Sequence, residues 1–174
     1  MDRQKILAIA GSLRAASSNA ALVRSMVELA PEGVIVEVYK GMGDLPLFSP
    51  DIDGEAPPST VQAFRKAIEQ AQAVVICTPE YAYGMPGSLK NALDWLVSSG
   101  SLYQKTVAAL SASPSPLGGD KALAWLRQTL RALDARVPEE ASFPIPFLKK
   151  KLVEGKLEDT LTEEKLRQMF LSLV

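Results

Sequence analysis

Three observations predict an α/β fold for this chain, built on a parallel sheet with helices on both faces. Apolar runs of strand length alternate five times with stretches of helical periodicity, and successive βα units of that kind connect by right-handed crossovers. One of the runs, Ala73-Val74-Val75-Ile76-Cys77, is apolar at every position, as suits a strand covered on both faces. Conspicuous loops follow the first, third and fourth runs, where open α/β sheets bind their ligands. A length of 174 residues suits one domain, expected to span 1–174.

The first strand, Ile6-Leu7-Ala8-Ile9-Ala10, stops at Gly11. A helix follows with Leu22, Val23, Met26, Val27 and Ala30 on one face, and Pro31-Glu32-Gly33 ends it. The β-branched residues of 34–39 make the second strand. Residues 41–58, rich in Gly, Pro and Asp, form a loop long enough to suggest a functional role. Ser59 or Thr60 is expected to cap the next helix, which carries Val61, Phe64, Ile68 and Ala71 on one side. After the third strand, a loop over 79–87 leads into a helix with Leu89, Ala92, Leu93 and Leu96. Residues 106–110 are the fourth strand and 111–119 the third loop; Leu123, Leu126, Leu130 and Leu133 then share a helical face. A short fifth strand is expected between Arg136 and Phe143, residues 144–155 follow no clear period, and Leu166, Met169, Phe170 and Leu173 line a terminal helix. In the strand order 2-1-3-4-5 of a flavodoxin-like three-layer sandwich, strands one, three and four adjoin, so one ligand can touch all three loops.

The first loop, Gly11-Ser12-Leu13-Arg14-Ala15-Ala16-Ser17-Ser18-Asn19, joins a strand to a helix N-terminus. Unpaired N–H groups and the positive end of the helix dipole favour an anion there. Ser12, Arg14, Ser17 and Asn19 add donors, and a phosphomonoester fits that set. The other reading is that Ser17, Ser18 and Asn19 only cap the helix while Arg14 is a surface charge. Neither Gly-x-Gly-x-x-Gly nor a Walker sequence occurs, so a dinucleotide or ATP fingerprint is absent. In the second loop, prolines and glycines stiffen the backbone and let it approach a ligand. Its Tyr81 and Tyr83 offer flat faces suited to the edge of an aromatic ring, or alternatively a subunit contact or core lid. The third loop offers backbone and hydroxyl bonds to a heterocycle.

Composition excludes several function classes. Nineteen Lys and Arg against 20 Asp and Glu leave no nucleic-acid footprint, and Lys149-Lys150-Lys151 reads as a solvated loop. Histidine is absent, which removes Ser-His-Asp and Cys-His catalysis and His-containing zinc sites. The single Cys77 reads as a buried small hydrophobe and argues against a disulfide or a transition-metal site. No apolar run approaches a membrane span, and the N-terminal residues lead straight into a strand, so a cytoplasmic location is expected. An enzyme of this composition leaves its hard chemistry to an organic cofactor.

The motif at 11–19, followed by Thr-Pro-Glu-Tyr-Ala-Tyr-Gly-Met-Pro-Gly-Ser-Leu-Lys-Asn-Ala-Leu-Asp-Trp at 78–95, resembles the NADPH-dependent FMN reductase family of flavodoxin-like proteins. That family includes bacterial quinone and chromate reductases and azoreductases. Leu45-Pro46-Leu47-Phe48 is similar to the family's loop near the active-site mouth. The resemblance implies that Ser12, Arg14, Ser17 and Asn19 clasp the FMN phosphate. It places Pro79, Glu80, Tyr81, Ala82, Tyr83 and Gly84 along the isoalloxazine ring, with Ser113 and Gly118 as further contacts. Ala82 departs from the family, where Asn is common. Hydride would pass from NADPH or NADH through bound FMN to quinones or similar acceptors (FMN, azo compounds, chromate) in a ping-pong scheme, with no protein acid or base and no metal. A homodimer or homotetramer is implied, with the helices carrying Trp95 and Trp125 as candidate contacts, core packing being an equal reading of both tryptophans, and Glu80 a candidate to pair with an arginine across the interface. Membrane insertion and nucleic-acid partners are not implied. Two other classes stay open: an FMN electron carrier, which tends to be strongly acidic with a Thr-rich phosphate loop, and a non-catalytic flavin-binding regulator, for which Ala82 is the only support.

Overall fold

Strand β1 (Gln4–Ala10) is an inner strand of the sheet, where both of its apolar faces are covered. A computed structural model describes residues 3–173; Met1 and Asp2, where the N-terminal expectation begins, lie outside the described residues, as does Val174. Strands β2 (Val34–Val38), β3 (Ala73–Thr78), β4 (Thr106–Ala112) and β5 (Ser142–Ile145) complete a sheet of order β2-β1-β3-β4-β5. Every pairing is parallel, as the alternation of strands and helices predicts.

Period-two alternation divides the apolar residues between two cores. Leu7, Ile9, Val74 and Ile76 face helices α2 (Ser59–Glu69), α3 (Gly87–Asp94) and α4 (Asp120–Ala132) through Phe64, Leu89 and Leu126. Ile6, Ala8, Val75 and Cys77 face α1 (Ser18–Leu29) and the terminal helix through Leu22, Met26 and Phe170. All six residues of β3 are buried, so the thiol of Cys77 is a core group.

Two sequence-based expectations need correction. The fifth strand starts later than expected. Arg136 makes an isolated bridge to Thr106, but Pro138 has no N–H to donate and the chain turns through a 3-10 segment at Glu139–Ala141. Pairing resumes only at Ser142–Ile145, an edge strand that tolerates Pro144. Neither Ser59 nor Thr60 caps α2: Pro58 precedes it, and its carbonyl accepts from Val61 and Gln62. Of the two readings open for Trp95, core packing holds: it is fully buried, and its Nε1 donates to the Pro46 carbonyl at 2.9 Å.

The stretch after β5 folds into a short helix α5 (Leu148–Lys151) and an antiparallel hairpin of β6 (Leu152–Val153) and β7 (Lys156–Leu157). Glu154 and Gly155 both have positive φ and close it. The Leu157 N–H donates to buried Ser25 Oγ, tying this hairpin to α1 before α6 (Thr160–Leu171).

The long loop over 41–58 is pinned at two places. Asn91 Oδ1 accepts from the Phe48 N–H and its Nδ2 donates to the Pro46 carbonyl. Farther along, Arg65 Nη2 bonds Asp53 Oδ1 at 2.6 Å and the Trp95 carbonyl at 2.6 Å, while Ser98 Oγ donates to Asp53 Oδ2. Burial alone would raise the pKa of Asp53, but hydrogen bonds from Ser98 and Arg65, with the guanidinium charge, hold it below the ordinary carboxylate value.

Replacing Arg65 by Met leaves Asp53, whose side chain is 4% exposed, without its counter-charge. Urea unfolding at neutral pH is expected to show a loss of about 3 kcal/mol. Because the folded pKa is depressed, the Asp53 contribution is complete above the unfolded value of about 3.9 and fades as pH falls through the folded value. The stability gap between wild type and Asp53→Asn should therefore narrow in acid.

Candidate functional site

Where β1 ends, Gly11 lets the chain pass close to its neighbours. A Cβ there would stand 3.0 Å from Leu89 and 3.3 Å from the Cys77 carbonyl, to which the Gly11 N–H donates. The chain then rises into α1, whose N-cap is Ser17: extended at φ −78°, it accepts from the Ala20 N–H through Oγ. Ser12 Oγ accepts from the Arg14 N–H and sits 3.3 Å from the Tyr81 hydroxyl, so the first and second loops touch. Arg14 itself is exposed.

Asn19 has a structural duty. Its buried Nδ2 donates to the Ala112 carbonyl at 3.0 Å, and its Oδ1 accepts from Cys77 Sγ at 3.1 Å. One of its two amide protons remains for another acceptor. Burial pushes the Cys77 thiol up to about 12, which keeps it a neutral donor to this bond.

In the second loop, Glu80 braces a neighbouring helix within the chain. Its Oε2 accepts from the N–H groups of Lys121 and Ala122, capping α4 from outside the helix. Tyr81 and Gly84 exchange two backbone hydrogen bonds, and the central residues Ala82 (φ 49°) and Tyr83 (φ 60°) both lie in the left-handed region. That is a two-residue hairpin of type I′, which favours Asn or Gly at its centre. Asn in the family's common pattern suits this turn because it tolerates left-handed backbone; Ala82 has no such means and stores strain. Tyr81 and Tyr83 stand half and largely exposed, and Gly84 packs under the Trp125 ring.

Gly118 also has a structural role. At φ 65°, its Cβ position lies 2.8 Å from the Ile145 carbonyl carbon and from Pro146 N, so glycine is required for close packing on the end of β5. Ser111 Oγ donates to the Gly118 carbonyl, fixing the loop. Ser113 Oγ lies 2.7 Å from Ser115 Oγ, while the Ser113 carbonyl accepts from the Leu148 N–H.

These loops enclose a cavity of about 210 Å³. Of the residues singled out in the sequence, Ser12, Arg14, Ser17 and Asn19 line it from the first loop, Pro79, Glu80 and Tyr81 from the second, and Ser113 from the third. Ala82, Tyr83 and Gly84 form the hairpin outside its lining, and Gly118 is turned to β5. Sequence reasoning left out Ser18, Ala112 and Pro114, each next to a flagged residue, and Leu148 and Lys149, for which no local pattern gave a signal. The donor set fits a phosphomonoester: serine hydroxyls, one guanidinium and the first turn of α1. Its one carboxylate is already engaged by α4.

The family model described as NADPH-dependent FMN reductase matches residues 4–149. The quinone reductase of Escherichia coli strain K12 is 37% identical to the chain over 145 residues, covering 82% of this chain and 77% of its own length. An NAD(P)H-dependent FMN reductase of Pseudomonas aeruginosa is 34% identical, covering 99% of this chain and 94% of its own. Among solved structures, FerB from Paracoccus denitrificans, a flavoenzyme NAD(P)H:(acceptor) oxidoreductase, superposes with a TM-score of 0.83 at 27% identity, covering 98% of this chain and 94% of its own.

Ala82→Asn is expected to stabilise the protein by about 1 kcal/mol in urea unfolding, by relieving the left-handed alanine. Cys77 should resist iodoacetamide in the native protein at mildly alkaline pH and react once urea unfolds the chain, which mass spectrometry reads directly.

Proposed function

The chain belongs to the NADPH-dependent FMN reductase family, and we propose that it is an NAD(P)H-dependent quinone reductase holding FMN by its phosphate in the cavity between the β1, β3 and β4 loops. The observation that carries this reading is the convergence of Ser12, Arg14, Ser17 and the first turn of α1 on the cavity that Tyr81 also borders. When bound, FMN supplies the two-electron chemistry between a reduced nicotinamide and an acceptor.

The chain's own residues anchor, orient and shelter the cofactor. Arg14 and the serine hydroxyls bind the phosphate end, and Asn19 holds their loop in place while offering its spare amide proton. The N–H groups of Ala82 and Tyr83, in the hairpin beside the cavity, have no acceptor among the described residues and would be available as donors to the ring. Tyr81 and Tyr83, half and largely exposed, would border the ring of a bound FMN, and a face left open would let NAD(P)H and the acceptor bind in turn, as a ping-pong scheme needs. Quinones are the leading acceptors, with azo compounds, chromate and free FMN as further ones. No side chain is assigned as a catalytic acid or base.

The whole chain acts in this reading as one FMN-binding unit, in the cytoplasm, as a homodimer or homotetramer. A groove of about 440 Å³ between α3 and α4 supports self-association, with Trp125 59% and Val97 64% exposed beside it.

Flavin absorbance under anaerobic conditions should bleach on adding NADPH or NADH and recover on adding benzoquinone; a bound flavin that neither nucleotide bleaches would overturn the reductase reading. Arg14→Ala should weaken FMN binding by roughly tenfold while leaving riboflavin binding near wild type. Trp125→Glu should shift the sedimentation profile toward monomer with folding intact.

A further inference from the structure

Lys149, Lys150 and Lys151 follow one another in α5, and successive residues of a helix point about 100° apart. Their side chains therefore meet three different surroundings. Lys151 Nζ bonds Asp159 Oδ2 at 2.9 Å and Thr162 Oγ1 at 2.7 Å, which fastens α5 to α6. Lys150 Nζ sits 5.5 Å above the Phe147 ring. Lys149 has no ion pair among the described residues. It lines the cavity of Ser12, Arg14 and Ser17, and also a second cavity of about 290 Å³ on the other side of the same loop.

The placement is held by the backbone. The Phe147 N–H donates to the Ser115 carbonyl and the Leu148 N–H to the Ser113 carbonyl, at 3.2 and 3.0 Å. Leu148 is 1% exposed and fixes the start of α5 against the third loop. Charge around the first loop is one-sided. Arg14 and Lys149 line the first cavity, while Arg24 and Lys149 line the second. Glu80 is the only carboxylate in either lining, and its Oε2 is occupied by α4. A chain with net charge −1 has thus gathered cations where a phosphate monoester, largely dianionic at neutral pH, would sit.

Resting on the reading of this cavity as the FMN phosphate site, we infer that Lys149 is the second cation of that site, facing Arg14 from the C-terminal segment. Arg14 offers a planar fork of donors, and Lys149 a compact charge on a flexible stem. The pair neutralises the dianion from two parts of the fold, so the bound phosphate also fastens the segment after β5 to the β1 loop.

The test uses equilibrium titration of the flavin-free protein with FMN and with riboflavin, read by quenching of flavin fluorescence at low and high salt. Lys149→Met should weaken FMN by roughly tenfold, leave riboflavin unchanged and reduce the salt dependence of FMN binding. Lys150→Met should alter none of these. Because Lys149 is exposed, its variant should keep the wild-type urea midpoint. Equal effects of Lys149→Met on FMN and riboflavin, or no effect on either, would overturn the inference. If Arg14→Ala abolishes the preference for FMN while Lys149→Met preserves it, the phosphate site stands and Lys149 is not part of it. If wild type binds riboflavin as tightly as FMN, the phosphate reading fails and the inference with it.

Discussion

The Asn19 side chain bonds two neighbouring strands at once, and the site depends on that connection. It accepts from Cys77 at the end of β3 and donates to the Ala112 carbonyl at the end of β4. Asn19 sits in the first turn of α1, so these two bonds fix the helix N-terminus over the edge where three strands finish. A buried amide left half-bonded costs about 1–3 kcal/mol, which gives the arrangement one low-energy geometry. The first turn of α1, the Ser17 cap and the hydroxyl of Ser12 take their positions from it.

Around that fixed edge, each loop is braced by a neighbour. Glu80 of the second loop caps α4, which follows the third loop, and Gly118 of the third loop packs on the end of β5. The segment after β5 returns to bond Ser113 and Ser115. Ala82, Tyr83 and Phe147, on the segments that surround this edge, are three of the six non-glycine residues at positive φ among the described residues. Hydrogen bonds across the Tyr81–Gly84 turn and into the third loop hold them there. A preformed site of this kind suits a protein whose residues bind and orient a cofactor and take no covalent part in its chemistry.

The sheet was legible because β1, β3 and β4 are apolar on both faces and each runs into a conspicuous loop. The strand order came from the flavodoxin-like arrangement of such βα units, and the meeting of the three loops followed from that order. β5 was harder to place, since Ser142–Ile145 is a short edge strand containing proline and lacks the apolar run of a buried one. The roles of Glu80 and Gly118 depend on groups that are far away in sequence, α4 for one and the Ile145 backbone for the other. The family resemblance marked both without saying why. Ala82 was marked as a departure, and only the left-handed backbone explains what Asn would contribute there. Lys149 was hidden in a run of three like residues whose separate surroundings exist only in the folded chain.

The central claim is that a phosphate lies among Ser12, Arg14, Ser17 and the first turn of α1. Phosphorus NMR of FMN bound to the protein tests it most directly, because a free phosphomonoester titrates with a second pKa of about 6. Held by cations and helix N–H groups, the bound phosphate should stay dianionic, with a resonance that does not move across mildly acid to neutral pH. A bound resonance that titrates as the free cofactor does would place the phosphate in solvent and contradict the claim.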